Sequence, residues 1–376
     1  MSNDIEWKMV QIKELLRIGN GRDYKHLKAG DIPVYGTGGY MCSVNDYLYD
    51  GDTVCIGRKG TIDEPQFHSG KIWTVDTLFY THSFDGVFPK YLFYVFCMID
   101  WKSKNEATGV PSLSKGIIEK IYIPIPYKDG EPDLETQELI AQKLSCMDSL
   151  IAAKEKLLAK KRNLKIGAMQ KLIKQEESEN WKMIKLGKIG TVSMCKRIMK
   201  DETSETGDIP FYKIGTFGAL ADAYISKKLF EEYKGKFSYP KKGDILISAA
   251  GTIGRTVVFN GESAYFQDSN IVWLDHDETK ILNNYLYYLY NIIQWHTTSG
   301  GIIERLYNDN IIKTEIPIPF KNGSPDLIEQ KRIATILSDM DSEIASIENE
   351  ISKLRNLKTA MMQKLFCFCV AGGKNE

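Results

Sequence analysis

The most regular apolar pattern in the chain lies near its end. Ile333, Leu337, Met340, Ile344, Ile347, Ile351 and Leu354 follow one another at alternating steps of four and three, the seam of a helix that packs along another helix. An earlier run, Ile140, Leu144, Met147 and Ile151, then Leu158, repeats it with Lys154 and Lys161 interrupting. Each run follows a turn-rich exit, Lys128-Asp129-Gly130-Glu131-Pro132 or Lys321-Asn322-Gly323-Ser324-Pro325, and then Asp133 or Asp326, a residue suited to cap a helix. About 40 residues at ~1.5 Å rise predict rods of roughly 60 Å. Upstream of each rod, short apolar runs such as Asp52–Ile56 and Asp244–Ile247, punctuated by Gly and Pro, predict strands. One aromatic helix is embedded in each stretch, at Lys90–Phe96 and Asn284–Tyr290. These aromatics suit a platform for nucleic-acid bases or an apolar helix core, and core is the better reading. The expected architecture is mixed α/β (α+β).

The chain is written twice. Trp7-Lys8-Met9-Val10 recurs as Trp181-Lys182-Met183-Ile184, and Ile32-Pro33-Val34-Tyr35 as Ile209-Pro210-Phe211-Tyr212. Gly51-Asp52, followed by Gly60-Thr61-Ile62, recurs as Gly243-Asp244, followed by Gly251-Thr252-Ile253. Ile123-Pro124-Ile125-Pro126 recurs as Ile316-Pro317-Ile318-Pro319, and Met169-Gln170-Lys171-Leu172 as Met362-Gln363-Lys364-Leu365. The insertions that separate the copies therefore fall early in each repeat. The expected segments are a first globular domain at 1–130, a long helix at 131–175, a second globular domain at 176–323, a second long helix at 324–368 and a tail at 369–376.

Composition narrows the class without naming it. The 376 residues are 43% hydrophobic and 26% charged, ordinary for a globular protein. There is no run of 18 apolar residues, and the polar, acidic start is no signal peptide. Seven cysteines at irregular spacing predict a reducing cytoplasm rather than a disulfide framework. Cys367 and Cys369 are too isolated for a zinc site. The 49 basic and 49 acidic residues cancel, which argues against non-specific coating of DNA but not against local basic surfaces.

A heptad helix alone leaves its seam wet, and the simplest partner for each is its own repeat copy. Residues 154–165 carry Lys154, Lys156, Lys160, Lys161, Arg162 and Lys165 against Glu155, while residues 339–350 carry Asp339, Asp341, Glu343, Glu348 and Glu350. Antiparallel pairing would set these stretches opposite each other; the alternative is that both are solvated faces.

At this point the sequence resembles the specificity subunits of type I restriction–modification systems. The resemblance covers almost the whole chain. It rests on the doubled order of the Trp-Lys opening, the Gly-Asp strand with its Gly-Thr-Ile loop, the Ile-Pro-Ile-Pro exit, the Gln-led helix start (Gln137, Gln330) and the Met-Gln-Lys-Leu helix end. It implies an internal duplication with pseudo-two-fold symmetry: two globular target-recognition domains joined by two long helices in an antiparallel coiled coil. Each domain would read one half of a split, asymmetric site in double-stranded DNA, and the coiled coil would set the gap. It further implies two bound methyltransferase subunits, and motor–nuclease subunits in the full complex. Half-sites about one helical turn apart, roughly 34–36 Å, would face one side of B-DNA.

The resemblance places base-reading residues in loops of the globular parts. In the first copy these are Thr37 and Gly38; Arg58, Lys59 and Thr61, with Gly60 between them; and Thr108 to Ser112. In the second they are Lys213 and Thr216; Gly251, Thr252 and Arg255; Gln267, Ser269 and Asn270; and Ser299, Gly300 and Arg305. Arg and Lys suit phosphates or guanine edges, and Asn and Gln suit adenine. Surface turns and structural Gly-Thr bends would account for any single member equally well.

No catalytic motif competes. There is no Pro-Pro pair of the kind an amino-methyltransferase site uses, no Walker loop, and Gly36-Thr37-Gly38-Gly39 is only a turn signal. Pro325-Asp326 with Glu329 and Lys331 imitates a nuclease metal site, but at a helix start Asp326 is better read as a cap. No cofactor or metal is expected. Two rivals remain: a self-contained enzyme with an unrecognised site, and a duplicated scaffold that binds only protein.

Overall fold

A computed structural model describes residues 5–173, 178–295 and 305–371, with side chains to Phe366. It divides into two compact units: residues 1–157 with 347–376, and residues 158–346. Each unit thus contains one globular part and a stretch of both long helices, Leu134–Leu172 and Leu327–Ala371.

In the first unit, Glu6–Gln11 pairs antiparallel with Tyr122–Lys128, placing Trp7 opposite Pro126 and Met9 opposite Pro124. An antiparallel strand donates toward one neighbour only at alternate residues, so prolines at alternate positions cost no ladder bond. Ile123 and Ile125 are left to fill the core. A four-stranded antiparallel sheet takes the order Arg17–Asn20, Leu78–His82, Thr53–Gly57, Gln66–His68. A second sheet is ordered Gly39–Val44, Ala29–Gly36, Lys71–Thr74, Tyr49–Asp50, with Val34 and Trp73 paired in parallel. The aromatic helix Pro89–Phe96 is core: Tyr91, Leu92, Tyr94 and Phe96 are fully buried. The Tyr91 hydroxyl donates to the Pro124 carbonyl at 2.7 Å.

The second unit repeats this plan. Trp181 stands opposite Pro319 and Met183 opposite Pro317, and the Tyr285 hydroxyl donates to the Pro317 carbonyl at 3.1 Å. Its antiparallel sheet runs Thr191–Ser193, Ile271–Asp275, Ile245–Ser248, Thr256–Val258. The early insertion supplies an extra helix, Lys227–Lys236, whose Phe230 helps close a separate aromatic core with Phe211, Phe217, Tyr265 and Phe266.

The exits into the rods are two-residue hairpins. Lys128 pairs with Glu131 and Lys321 with Ser324; Asp129 and Gly130 have φ of 52° and 88°, Asn322 and Gly323 51° and 80°. That turn needs φ > 0 at both central residues, hence Asp-Gly and Asn-Gly. Asp133 then caps its helix by accepting from the Thr136 backbone N–H at 3.0 Å, and Asp326 accepts from Glu329 N–H at 3.0 Å. The nuclease-like string is thereby accounted for, since Glu329 is also ion-paired with Arg332. Among the described residues no His, Cys, Asp and Glu cluster could hold a metal, and no helix is long and apolar enough to cross a membrane.

Every seam residue expected from the heptads is buried or half-buried, from Ile140 to Leu158 and from Ile333 to Leu354. Pairing is antiparallel within each unit. In the first, Lys154 meets Glu350 at 2.6 Å and Arg355 meets Glu155 at 2.6 Å. In the second, Lys161 meets Glu343 at 2.5 Å and Lys165 meets Asp341. The basic and acidic stretches are therefore partners rather than separate solvated faces, and the lysines that interrupt the seam are half-buried against acids.

Two anchors fasten each globular part to the helices. Gln137 is fully buried; it accepts from Phe88 N–H at 2.8 Å and donates to the Gly86 carbonyl at 3.0 Å. Gln330 does the same with Leu282 N–H at 2.9 Å and the Lys280 carbonyl at 3.0 Å. Asp148 accepts from the Tyr94 hydroxyl at 2.8 Å and from Lys358. Asp341 accepts from the Tyr288 hydroxyl at 3.0 Å and from Lys165. Burial, with the neighbouring aspartate, raises the pKa of both phenols and keeps them donors. The Met-Gln-Lys-Leu helix ends also gain a role: Met362 and Phe366 enter the first unit's core, while Met169 and Leu172 pack on the second's.

Candidate nucleic-acid interface

In each unit the loops singled out from the sequence meet in one patch. In the first, Arg58 and Lys59 leave the central strand Thr53–Gly57 and are exposed. The Arg58 N–H donates to the Thr77 carbonyl at 2.8 Å, and the Arg58 carbonyl accepts from Leu113 N–H at 2.9 Å. Lys59 forms an isolated bridge with Ser112, and Gly60 N–H donates to the Pro111 carbonyl at 2.9 Å. Gly60 has φ of 91°, which favours glycine. Thr37 joins because the Gln66 amide donates to the Gly36 and Thr37 carbonyls at 3.0 and 3.2 Å. Gly38 is exposed at the hairpin tip. Thr108 is exposed in the loop that Asn105 braces by accepting from Ala107 and Ser112 N–H at 3.0 and 2.9 Å.

In the second unit the Ala249 N–H donates to the Asn270 carbonyl at 2.7 Å, and its carbonyl accepts from Leu306 N–H at 2.8 Å. Ala250 bridges Arg305. Gln267 accepts from Ile214 N–H at 2.9 Å and Thr216 from Lys213 N–H at 3.1 Å. Arg305 donates to the Ser269 carbonyl at 2.8 Å and to Asn270 Oδ1 at 3.2 Å. Ser269 itself sits at φ 59°. Thr252 accepts a hydrogen bond from the Ser248 hydroxyl at its carbonyl, leaving an exposed residue. Arg255 is exposed, with its guanidinium 5.7 Å from the Phe217 ring centroid. Lys213 is ion-paired with Asp222 at 2.9 Å. Ser299 and Gly300 lie outside the described residues.

The structure sorts these residues. Gln267, Asn270 and Thr216 spend side-chain polar atoms on holding loops together, whereas Arg58, Lys59, Thr252 and Arg255 are exposed. Sequence reasoning passed over Gln66, which ties down the Thr37 loop, and Asp268, which pairs with Arg197 at 2.9 Å. It also passed over the exposed Leu220 in the 213–222 connection, 90% accessible, whereas Val110, 66% accessible, lies within the Thr108–Ser112 stretch already singled out. Beside the first patch His68 stacks on Tyr35 at 3.7 Å, and burial lowers its pKa to about 4, so it is a neutral ring.

The comparisons with known proteins agree on one family. A model described as the type I restriction modification DNA specificity domain matches residues 4–160 and 178–356. The chain is 39% identical over 363 residues to a protein from Haemophilus influenzae described as a type I restriction enzyme specificity subunit, spanning 92% of this chain and 90% of that one. It is 26% identical over 302 residues to the MjaVIII specificity subunit of Methanocaldococcus jannaschii, covering 73% and 68%. The crystal structure of a type I restriction-modification system S subunit from M. genitalium is similar in fold, with a TM-score of 0.66 over 97% of both chains at 16% identity.

Proposed function

We propose that this chain, which belongs to the type I restriction–modification DNA specificity family, reads a split, asymmetric site in double-stranded DNA, one half with each globular part. As a family member it is a DNA specificity subunit; the division of labour is our reading. The observation that carries it is the pair of loop patches. Both stand on the same hydrogen-bonded frame, yet they present different side chains, Arg58 and Lys59 in one, Ala249 and Ala250 with Arg305 in the other. One frame with two faces is what two unlike half-sites require. Basic side chains suit phosphates and guanine edges, while Val110 and Leu220 suit thymine methyl groups.

In this reading the paired helices set the gap and dock two methyltransferase subunits. Motor–nuclease subunits complete the assembly in the cytoplasm, and the partners, not this chain, supply the chemistry. The test is co-expression with the methyltransferase subunit encoded beside it, followed by mapping of adenine methylation on host DNA. Methylation at one split, non-palindromic motif that vanishes when this chain is deleted supports the reading. A complex that never forms, with methylation unchanged by the deletion, overturns it in favour of a protein-only scaffold.

A further inference from the structure

Backbone bonds equate positions that the side chains do not. Arg58 and Ala249 donate to the loop carbonyls of Thr77 and Asn270, and accept from Leu113 and Leu306. Arg58 therefore corresponds to Ala249, and Ser112, just before Leu113, corresponds to Arg305, just before Leu306. The arginine has changed its place in the chain, but its head group has not moved. Arg58 Nη1 lies 3.5 Å from the carbonyl of Asp76, the residue before Thr77. Arg305 Nη2 lies 2.8 Å from the carbonyl of Ser269, the residue before Asn270. Two non-equivalent residues thus bring a guanidinium to one point of the frame. Arg305 also braces its turn through Ser269 and Asn270, but the Arg58 contact is too long to stabilise the fold much and its side chain is exposed, so folding does not account for the placement of Arg58.

A group kept at one point in two parts that otherwise present different side chains answers to something both half-sites share. Every half-site, whatever its sequence, shares the sugar–phosphate backbone. We propose that Arg58 and Arg305 are counterparts, each holding a DNA phosphate at the equivalent point of its half-site and taking no part in base choice. The proposal rests on the DNA-reading function above. A guanidinium is always charged and matches phosphate with paired N–H donors, and phosphate contacts fix register without carrying sequence. Beside Arg305 an open groove of about 790 Å³, also lined by Tyr307, Asn308, Asn310 and the ion pair of Lys313 with Asp309, leaves room for a strand of backbone.

The test uses the purified complex of this chain with its methyltransferase subunit. Binding is titrated against salt on an oligonucleotide carrying the mapped motif and on a scrambled one. Three variants are compared with the parent: Arg58→Ala, Arg58→Lys, and Arg58→Ala/Ser112→Arg, which copies the second part's arrangement into the first. Arg58→Ala should weaken both oligonucleotides alike, by about tenfold, and flatten the slope of log K against log salt by about 0.9. The methylated motif should not change. Lysine should keep most of the binding, and Ser112→Arg should restore it. Loss confined to the motif oligonucleotide, with a relaxed base in the first half-site, makes Arg58 a base reader and overturns the proposal. So does unchanged binding by Arg58→Ala, or a loss that Ser112→Arg does not repair. A parent complex that binds neither oligonucleotide overturns the DNA-reading function itself, a result distinct from these.

Discussion

In the first globular part the loop leaving the central strand leads with Arg58 and Lys59 and faces Ser112; in the second the same backbone carries Ala249 and Ala250 and faces Arg305. Where each globular part meets the long helices the copies agree almost bond for bond. Gln137 and Gln330 bind equivalent backbone groups, Tyr91 and Tyr285 donate to equivalent proline carbonyls, and Asp148 and Asp341 each join a tyrosine to a lysine of the other long helix. Stability is thus invested in groups that are the same in both copies, and the copies differ at the exposed positions that our proposal assigns to recognition. A side chain that braces the frame cannot be exchanged without unfolding its neighbours; one that only points outward can.

That division is broken most directly at the helix seam. Leu144 and Leu337 are both fully buried, and Leu144→Ala and Leu337→Ala should each cost about 3 kcal/mol by chemical denaturation. A clearly smaller cost at one of them would mean that the two units are not packed alike. Next come the glutamine anchors. Gln137→Met strands a backbone N–H and a carbonyl, and Gln330→Met strands their counterparts, so each should cost about 2 kcal/mol. Equal losses sharpen the comparison, and a tolerated substitution shows that water enters one copy to replace the amide.

The aspartate junctions follow. Asp148→Asn and Asp341→Asn each weaken one charged bond to lysine and one bond to a tyrosine, at groups still partly open to solvent. A loss of about 1 kcal/mol is expected for each. In a background already carrying Lys358→Met, Asp148→Asn should cost distinctly less, because the charge it would have answered is gone. Additive losses would show that the lysine and the aspartate act independently.

Much of this was legible in the sequence, and the reason differs from element to element. The rods were readable because a period repeated over many turns outweighs any local ambiguity, while their charged stretches suggested the antiparallel sense without deciding it, and the ion pairs decide it. The hairpins were readable because Asp-Gly and Asn-Gly are demanded by the turn itself. The candidate loops could be named from the sequence, but not the bonds their side chains make. Nothing in the string Gln267-Asp268-Ser269-Asn270 says that Gln267 will spend its oxygen on Ile214 N–H, or that Asn270 will accept from Arg305. Those bonds join residues tens of positions apart, and local pattern carries no information about them. The duplicate could have supplied some of it. Gln137 with Gln330, Asp148 with Asp341 and Lys165 with Lys358 recur at the same spacing as Ile123 with Ile316, a signal that polar residues, not only apolar ones, were being kept in place. The Gly-Asp match, by contrast, is one residue out of step with the ladder. Cys55 opposite Tyr80 and Leu246 opposite Trp273 set the true correspondence of the strands, which only pairing reveals.

The smallest expected effect isolates one copy by pH. On that ladder His68, opposite Thr53, corresponds to Phe259 of the second part. Both rings pack against aromatics, His68 on Tyr35 and Phe259 on Phe266, but only the first can take a proton. Burial holds its folded pKa near 4, against 6.5 for the ordinary group. On acidification the unfolded chain binds the proton first, so the folded state loses stability as pH falls from about 6.5 toward 4 and is unaffected above that window. The ring is only partly shielded, and after discounting for solvent the loss is on the order of 1 kcal/mol. His68→Phe installs the second copy's residue and keeps the stack. It should remove that part of the decline between pH 6.5 and 4, while at pH 8 the lost bond between His68 Nε2 and Gln66 Oε1 at 3.1 Å costs about 1 kcal/mol. The pH-dependent difference between paired melting curves at pH 8 and pH 4 is therefore what is read. An identical pH dependence in the variant would mean that His68 is solvated well enough to titrate normally, and the two copies would then differ less in their interiors than their sequences suggest.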